Sequence, residues 1–423
     1  MEISELLKGI DCACGKHHSC AIKHVLIGRD AIAGLGDIAQ GFENILLVAD
    51  ENTYAAAGEQ TAAALSGKNL RKVIFSGKTV LIPNEEAIEQ INGAMNGVDL
   101  IVGIGSGVVQ DLCKYVSFFS NIPYYIVATA PSMDGYASDG AAMILGGMKV
   151  TVSAKVPAAI IADTKVLKDA PMDMIRAGYG DIVGKYSALN DWRLSHVVNG
   201  EYLCPYIYDL TLQMVEKTLK LADGLQKREE ESVGVLMEAL VVVGIAMSFA
   251  GSSRPASGSE HHLSHFFEIT GIIRGEEYFP HGIDVAYSTV VTCALREKLL
   301  RQQWPDARCR PERAAYEAEM DRIYGSVGSS CVALQDKMGR YEQDMLPVYK
   351  EKDASIRAIL QETPSAAEIE GLLSAAGLDM GEFYKLYSPE KLEDAILWAK
   401  DLKDRYTVLW LYFDMFGKAG KAE

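Results

Sequence analysis

The sequence predicts an α/β domain built on a parallel sheet, followed by an all-helical domain, and three observations lead there. Short, wholly apolar runs alternate with helical stretches through residue 160. Beyond Asp163 the apolar spacing moves from two residues towards about 3.6. Glycine and proline then fall mainly between the long runs rather than inside them. Strands that are apolar on both faces belong to a sheet covered on both sides by helices. The expected domains are residues 1–165 and 166–423, with the change between Ile160 and Pro171.

Taken in order, Ile45 to Ala49 reads as a strand, Thr53 to Leu65 as an alanine-rich helix and Lys72 to Phe75 as a strand. Glu85 to Met95 follows as a helix, then Leu100 to Gly103 and Tyr124 to Ala128 as strands. Val150 to Ala162 carries further β character and is expected to pair at an edge. The later helices are expected over Ala177 to Val197, Tyr208 to Ala222, Ser232 to Ala250, Val285 to Arg301 and Pro389 to Lys403. Leu236 to Phe249 contains Glu238 and Ser248 and fits a buried helix better than a membrane span. The charged stretch from Arg301 to Glu317 and the glycine- and serine-rich Gly325 to Ser330 read as a surface excursion with a solvated face.

The 423 residues, 49% hydrophobic, are enough for more than one core. Against 41 Lys+Arg stand 57 Asp+Glu, a formal charge of -16. That balance makes duplex nucleic acid a poor partner, because its binding needs a cationic face. The first residues carry no basic patch leading into an apolar core, so a cytoplasmic protein without a membrane span is expected. The cysteines at 12, 14, 20, 113, 204, 293, 309 and 331 are scattered, unlike a disulfide scaffold. Cys12-Ala13-Cys14-Gly15-Lys16-His17-His18-Ser19-Cys20 clusters metal-capable side chains. Its cysteines are separated by one residue where structural sites usually have two or more, so it reads as a glycine-containing connector with reduced thiols.

Four segments carry candidate chemistry. Asp99 to Gly107 runs from a strand through Gly103, Gly105 and Gly107 into a helix, where backbone N–H groups can approach a pyrophosphate. Ala128 to Gly140 follows a strand with hydroxyls and the carboxylates Asp134 and Asp139, and carboxyl ends of parallel strands gather ligands. Asp181, in Gly178 to Lys185, is expected near the start of the first helix of the second domain. Four of the eight histidines, His261, His262, His265 and His281, fall in one short stretch. His261 and His265 are one helical turn apart and can face one cavity, with His262 pointing elsewhere. Adding His281 and Asp181 would make a metal site with open positions.

These motifs, GIGSG(x)3D(x)2K at 103–114, TAPSMDGYAS at 129–138, Asp181 in GYGDIVGKYSALNDW, RPASGSEHHLSH at 254–265 and HG at 281–282, occur in the order seen in sn-glycerol-1-phosphate dehydrogenases. The chain resembles the bacterial members of that family, within the group containing glycerol dehydrogenase, iron-containing alcohol dehydrogenases and dehydroquinate synthase. The likeness runs through residues 20–300 and weakens beyond. The turn departs from the pattern of three successive glycines by Ile104, and the 301–364 connection is longer and more charged than the family implies.

The resemblance implies a Rossmann-like domain followed by an all-helical metal-binding domain, as in dehydroquinate synthase. It implies the cofactor pyrophosphate over Gly105, Ser106 and Gly107 with Asp111 nearby, and Thr129, Ser132 and Ser138 lining the nicotinamide side. Asp50, at a strand end, is the candidate for the adenosine ribose, which favours NAD(H) over NADP(H). The family's metal ligands fall on Asp181, His261 and His281, with nickel or zinc as the ion, and its substrate-contacting positions on Asp134 and His265. The implied reaction is NAD(P)H-dependent reduction of dihydroxyacetone phosphate to sn-glycerol 1-phosphate by a homodimer or larger homo-oligomer. The substrate phosphate needs a cation, with Arg254 first and Lys149 and Lys185 behind it. A polyol dehydrogenase, a dehydroquinate synthase-like lyase and a non-catalytic nucleotide-binding protein are the competing readings.

Overall fold

The computed structural model describes residues 2–146, 148–308 and 311–417, with Met148 and Lys149 described by their backbone alone. The chain forms two compact units, Met1–Ile182 with Asp209–Ser253, and Val183–Tyr208 with Arg254–Glu423. From Thr164 onward every described element is helical, so the texture changes where the apolar spacing does. Compactness divides the chain elsewhere, at three points rather than one.

The first unit is built on six strands, β1 (His24–Gly28), β2 (Asn44–Asp50), β3 (Asn69–Phe75), β4 (Leu100–Gly105), β5 (Tyr124–Ala128) and β6 (Ala159–Asp163). They form one parallel sheet in the order β1-β6-β5-β4-β2-β3. Every residue of β4, β5 and β6 is buried, and five of the seven in β2. The edge strands β1 and β3 are half-buried or exposed along most of their length. This is why the wholly apolar runs are legible as strands and the edges are not: a central parallel strand is covered on both faces.

Ala159–Asp163 is therefore a correction. It is expected at an edge, yet it pairs in parallel with both β1 and β5, because the unrecognised strand at His24–Gly28 lies outside it. The preceding β character, Met148–Ser153, forms an antiparallel hairpin with Gly140–Leu145 apart from the main sheet.

Helices α1 (Glu51–Ala64), α2 (Glu85–Gly93) and α3 (Gly107–Ser120) link the strands. Asp50 caps α1 reciprocally with Thr53, and Asn84 accepts from the Ala87 N–H at the start of α2. The expected helix over Ala177 to Val197 is two helices, α4 (Met172–Val183) and α5 (Lys185–Asn199), broken at Gly184. Helix α6 (Glu230–Ala250) is long and apolar enough, by length and composition alone, to cross a membrane. Burial of 72% of its most apolar window identifies it as a core helix.

The second unit centres on α7 (Ser259–Arg274) and α8 (His281–Leu300), with α5 and α9 (Val408–Phe416) beside them. Gly325 to Ser330 is not a loop excursion but the tight junction of two helices, Arg313–Tyr324 and Gly328–Met338. A Cβ on Gly328 would come within 2.6 Å of the Met320 carbonyl oxygen. Tyr316, Met320, Ile323, Tyr324 and Cys331 are buried there, while Arg313 pairs with Glu317 and Asp336 in solvent.

Candidate active site

In the first unit the chain runs from β2 outward to β3 and then returns to β4 on the other side of β2. The order reverses between β2 and β4, and the ends of these strands carry Asp50 and the glycine turn. Open α/β sheets bind ligands at that reversal. Ser106 makes no side-chain cap on α3, so the first N–H groups of that helix remain available to an anion. The glycines serve different ends. A Cβ on Gly103 would sit 2.9 Å from Cys113 Sγ and one on Gly105 2.6 Å from Val109 Cβ, so both admit α3 against the sheet. Among the described residues, the nearest atom to a Cβ on Gly107 would be Met133 Sδ at 3.6 Å. Asp50 Oδ1 accepts the Thr53 N–H at 2.8 Å, which fixes the carboxylate at the strand end.

The segment after β5 is held by α3. Thr129 N–H donates to the Gly105 carbonyl at 3.1 Å. Gln110 Nε2 donates to the carbonyls of Gly135 and Tyr136 at 3.0 and 2.8 Å. Lys114, wholly buried, donates to the Gly140 carbonyl at 2.7 Å, the Gly135 carbonyl at 3.3 Å and Ser138 Oγ at 3.4 Å, with Asp111 Oδ1 at 3.6 Å. Burial pulls the Lys114 pKa down, and Asp111 and Asp139 oppose the fall. Ser138 donates back to the Gly135 carbonyl, and Ser132 bonds the Tyr136 phenol. Lys114→Met would leave two carbonyls without their ammonium donor. The expected loss is about 1–3 kcal/mol in urea unfolding, and an unchanged midpoint would show that the ammonium does not hold the turn.

This scaffold presents Asp134 to Asp181, whose Oδ2 accepts the Asp134 N–H at 3.0 Å. Asp181 is fully buried and lies in the last turn of α4, not near a helix start as its sequence context suggests. An aspartate before an apolar run resembles an N-cap; here the helix has already begun at Met172, and the tertiary partner sets the role. Two helical glycines permit the approach. A Cβ on Gly178 would lie 1.8 Å from the Pro131 carbonyl oxygen, and one on Gly244 of α6 would lie 2.9 Å from the Asp134 carbonyl oxygen.

In the second unit three imidazoles converge. Ring centroids of His261 and His281 are 5.1 Å apart, His265 and His281 5.4 Å, and His261 and His265 6.3 Å. His261 Nδ1 lies 2.7 Å from Glu260 Oε1. Ser264 Oγ lies 3.2 Å from His281 Nδ1 and donates to the His281 carbonyl at 3.4 Å, so it accepts from the ring. Both rings therefore carry hydrogen on Nδ1 and present the Nε2 lone pair, the orientation that metal-binding histidines take from their outer partners. The donor set fits a divalent ion. Burial, reinforced by the charge of Lys185, holds His261 well below the usual imidazole range, so it is neutral. Burial and the neighbouring Asp191 push Glu260 up to about 7.

The frame behind these rings is polar. Asp191 accepts from the Ser259 N–H at 2.6 Å, starting α7, and from the Val408 N–H at 2.8 Å, starting α9. Arg296 of α8 neutralises it at 2.9 Å and also bonds Asn190. Gly258 is required where α7 meets α5, since a Cβ there would come within 2.7 Å of Ala188 Cα. His262 is buried away from the trio, held neutral by burial.

Sequence reasoning gave no role to Glu260, Ser264, Lys114, Gln110, Asp191 and Arg296, although Glu260, Ser264 and Lys114 stand inside the motifs it singled out. The first two adjoin candidate histidines, which is a usable signal; Arg296 has none, because its partner is 105 residues away. Among the cations, Arg254 is buried and its guanidinium is paired with both oxygens of Glu201, a carboxylate where a substrate phosphate was expected. Lys185 is buried beside His261 and Glu260. The Lys149 side chain lies outside the described residues.

Residues 26–171 match the family model described as iron-containing alcohol dehydrogenase. The fold agrees with that class: the iron-containing alcohol dehydrogenase of Thermococcus thioreducens superposes with a TM-score of 0.61 at 14% identity, covering 94% of this chain and 93% of that one. Glycerol-1-phosphate dehydrogenase (NAD(P)+) of Geobacillus stearothermophilus is 30% identical over 411 residues, 94% of each chain. The enzyme of the same name from Halalkalibacterium halodurans is 35% identical over 301 residues, 69% of this chain and 75% of that one. The chain belongs to the glycerol-1-phosphate dehydrogenase family.

Proposed function

We propose that the protein reduces dihydroxyacetone phosphate to sn-glycerol 1-phosphate with NAD(P)H, NAD(H) being preferred, using a nickel or zinc ion held by Asp181, His261 and His281. The observation that carries the reading is the imidazole trio, two of its rings already oriented for an ion, in a chain alike over 94% of its length to a relative of that name. When bound, the ion supplies Lewis acidity towards the C2 carbonyl oxygen.

The chain's own residues do the rest. The glycine turn at Gly105 to Gly107 and the open end of α3 bind the pyrophosphate, Thr129, Ser132 and Ser138 line the nicotinamide side, and Asp50 meets the adenosine ribose, where its charge disfavours a 2′-phosphate. Asp134 and His265 position the substrate hydroxyls, and one of them passes the proton to the C2 oxygen. Glu260 and Ser264 keep the ligand rings in one tautomer. The phosphate meets Lys185, with Arg254 and Lys149 as further cations; Lys185 takes first place because Glu201 already occupies Arg254. We assign the protein a homo-oligomeric state, supported by the exposed Phe118 and Phe119 at the end of α3; sedimentation as a monomer would remove it.

The test is loss of reduced-nicotinamide absorbance with metal-loaded protein on dihydroxyacetone phosphate and on dihydroxyacetone, with the product's enantiomer assigned by a stereospecific coupling enzyme. Phosphate-dependent turnover to the sn-1 product is expected. Preference for the unphosphorylated ketone would make it a polyol dehydrogenase, and no turnover with either nickel or zinc would overturn the reading. Glu260→Gln should weaken metal affinity about 10–100-fold without unfolding the chain, and an unchanged affinity would separate Glu260 from the ion.

A further inference from the structure

The N-terminal hairpin carries chemistry that the dehydrogenase reading does not use. Ile10–Asp11 pairs antiparallel with His17–His18, and the turn between them closes through Cys12 N–H to the Lys16 carbonyl at 3.0 Å and Gly15 N–H to the Cys12 carbonyl at 2.9 Å. Gly15 takes φ +86°, a conformation that favours glycine. Alternation along the second strand sends the two histidines opposite ways. His17 faces solvent and meets Asp11 at 2.8 Å, while His18 is 1% exposed and stacks on Phe249 of α6 with centroids 5.7 Å apart.

His18 Nδ1 lies 3.0 Å from the Phe249 carbonyl oxygen. A carbonyl only accepts, so Nδ1 carries the hydrogen and Nε2 presents its lone pair. That lone pair lies 3.3 Å from Cys14 Sγ. The two sulfurs of Cys12 and Cys14 and a ring nitrogen of His18 all lie within 4.8 Å of one another. In a tetrahedral site with zinc–sulfur and zinc–nitrogen bonds of ordinary length, neighbouring donors are about 3.5 Å apart. The one-residue spacing of the cysteines argues against a site only while they are considered alone. The turn brings both sulfurs to the imidazole, whose orientation is set by an outer carbonyl as in other metal-binding histidines.

We propose that Cys12, Cys14 and His18 bind a zinc ion, with a water completing the fourth tetrahedral position, and that the ion fastens the N-terminal hairpin to the end of α6. Binding replaces both thiol hydrogens with zinc–sulfur bonds and releases two protons to solvent, with no change of oxidation state. The need is physical: strands of two residues are too short to hold a hairpin by their own hydrogen bonds, and a metal staple substitutes for the missing core.

The experiment uses the full chain. After reconstitution with zinc and dialysis, the wild type should retain one metal equivalent more than the double variant Cys12→Ser, Cys14→Ser. Loaded with cobalt(II), wild type and His261→Ala should both show the intense near-ultraviolet absorption of thiolate-bound cobalt, and the double variant should not. Absence of that absorption in the wild type would overturn the proposal, as would equal zinc retention by wild type and double variant. The wild-type cobalt spectrum decides the matter even if the double variant does not fold. Turnover of dihydroxyacetone phosphate tests the dehydrogenase reading separately, and neither result fixes the other.

Discussion

Replacing His261 with alanine is expected to strip the dehydrogenase's metal and lower turnover of dihydroxyacetone phosphate by roughly a thousandfold, because a Lewis acid supplies several kcal/mol of charge stabilisation and each 1.4 kcal/mol is about a factor of ten. The reason lies in how the ring is held. Glu260 fixes Nδ1 at 2.7 Å and burial keeps the imidazole neutral, so Nε2 is a ready donor at neutral pH. His281→Ala should behave alike, since Ser264 orients that ring in the same sense. His265→Ala should differ: metal retained, kcat reduced. Metal content by plasma emission and steady-state kinetics together separate a ligand from a positioning residue. Full metal occupancy with undiminished turnover in His261→Ala would take His261 off the ligand set.

The second large effect is expected at Gly178, which looks like an ordinary helical glycine in the sequence. A Cβ there would sit 1.8 Å from the Pro131 carbonyl oxygen. The obstacle is backbone, so no flexible side chain can swing aside, and α4 or the 131–137 segment must move. The expected cost of Gly178→Ala is about 3 kcal/mol, measured by urea unfolding. Turnover should fall about a hundredfold as well, since a misplacement of about 1 Å can cost that much, and the Asp134–Asp181 contact depends on this approach. Gly371→Ala, in the helix Ala366–Ala375 where an added Cβ meets none of the described residues within 4 Å, is the control. It should be neutral or stabilising by up to about 1 kcal/mol. Equal stability of Gly178→Ala and wild type would refute the close approach.

The central strands were legible because β4, β5 and β6 are buried on both faces and so are written as unbroken apolar runs. The edge strand His24–Gly28 was not, since half-burial leaves no alternation to read. Missing it placed Ala159–Asp163 at the edge it actually lines from inside. The glycine turn and the histidine pair one helical turn apart are local patterns, visible in a dozen residues. Asp181 stands out in the sequence as a candidate, but its place in the helix does not, because an aspartate's local context resembles a cap whatever its distant partner is.

The sequence by itself determined the fully buried strands, the change to an all-helical texture, the glycine turn at a strand end, and which residues could serve as donors. Only the tertiary structure decided which nitrogen His261, His281 and His18 present, through Glu260, Ser264 and the Phe249 carbonyl. It also decided that Arg254 meets Glu201 and that Cys12 and Cys14 meet His18. The physical reason is range. Helical and strand periodicity are local and recur within a few residues. A tautomer, an ion pair or a metal-sized cluster depends on side chains whose approach is set by the packing of the unit, and no spacing along the chain encodes it.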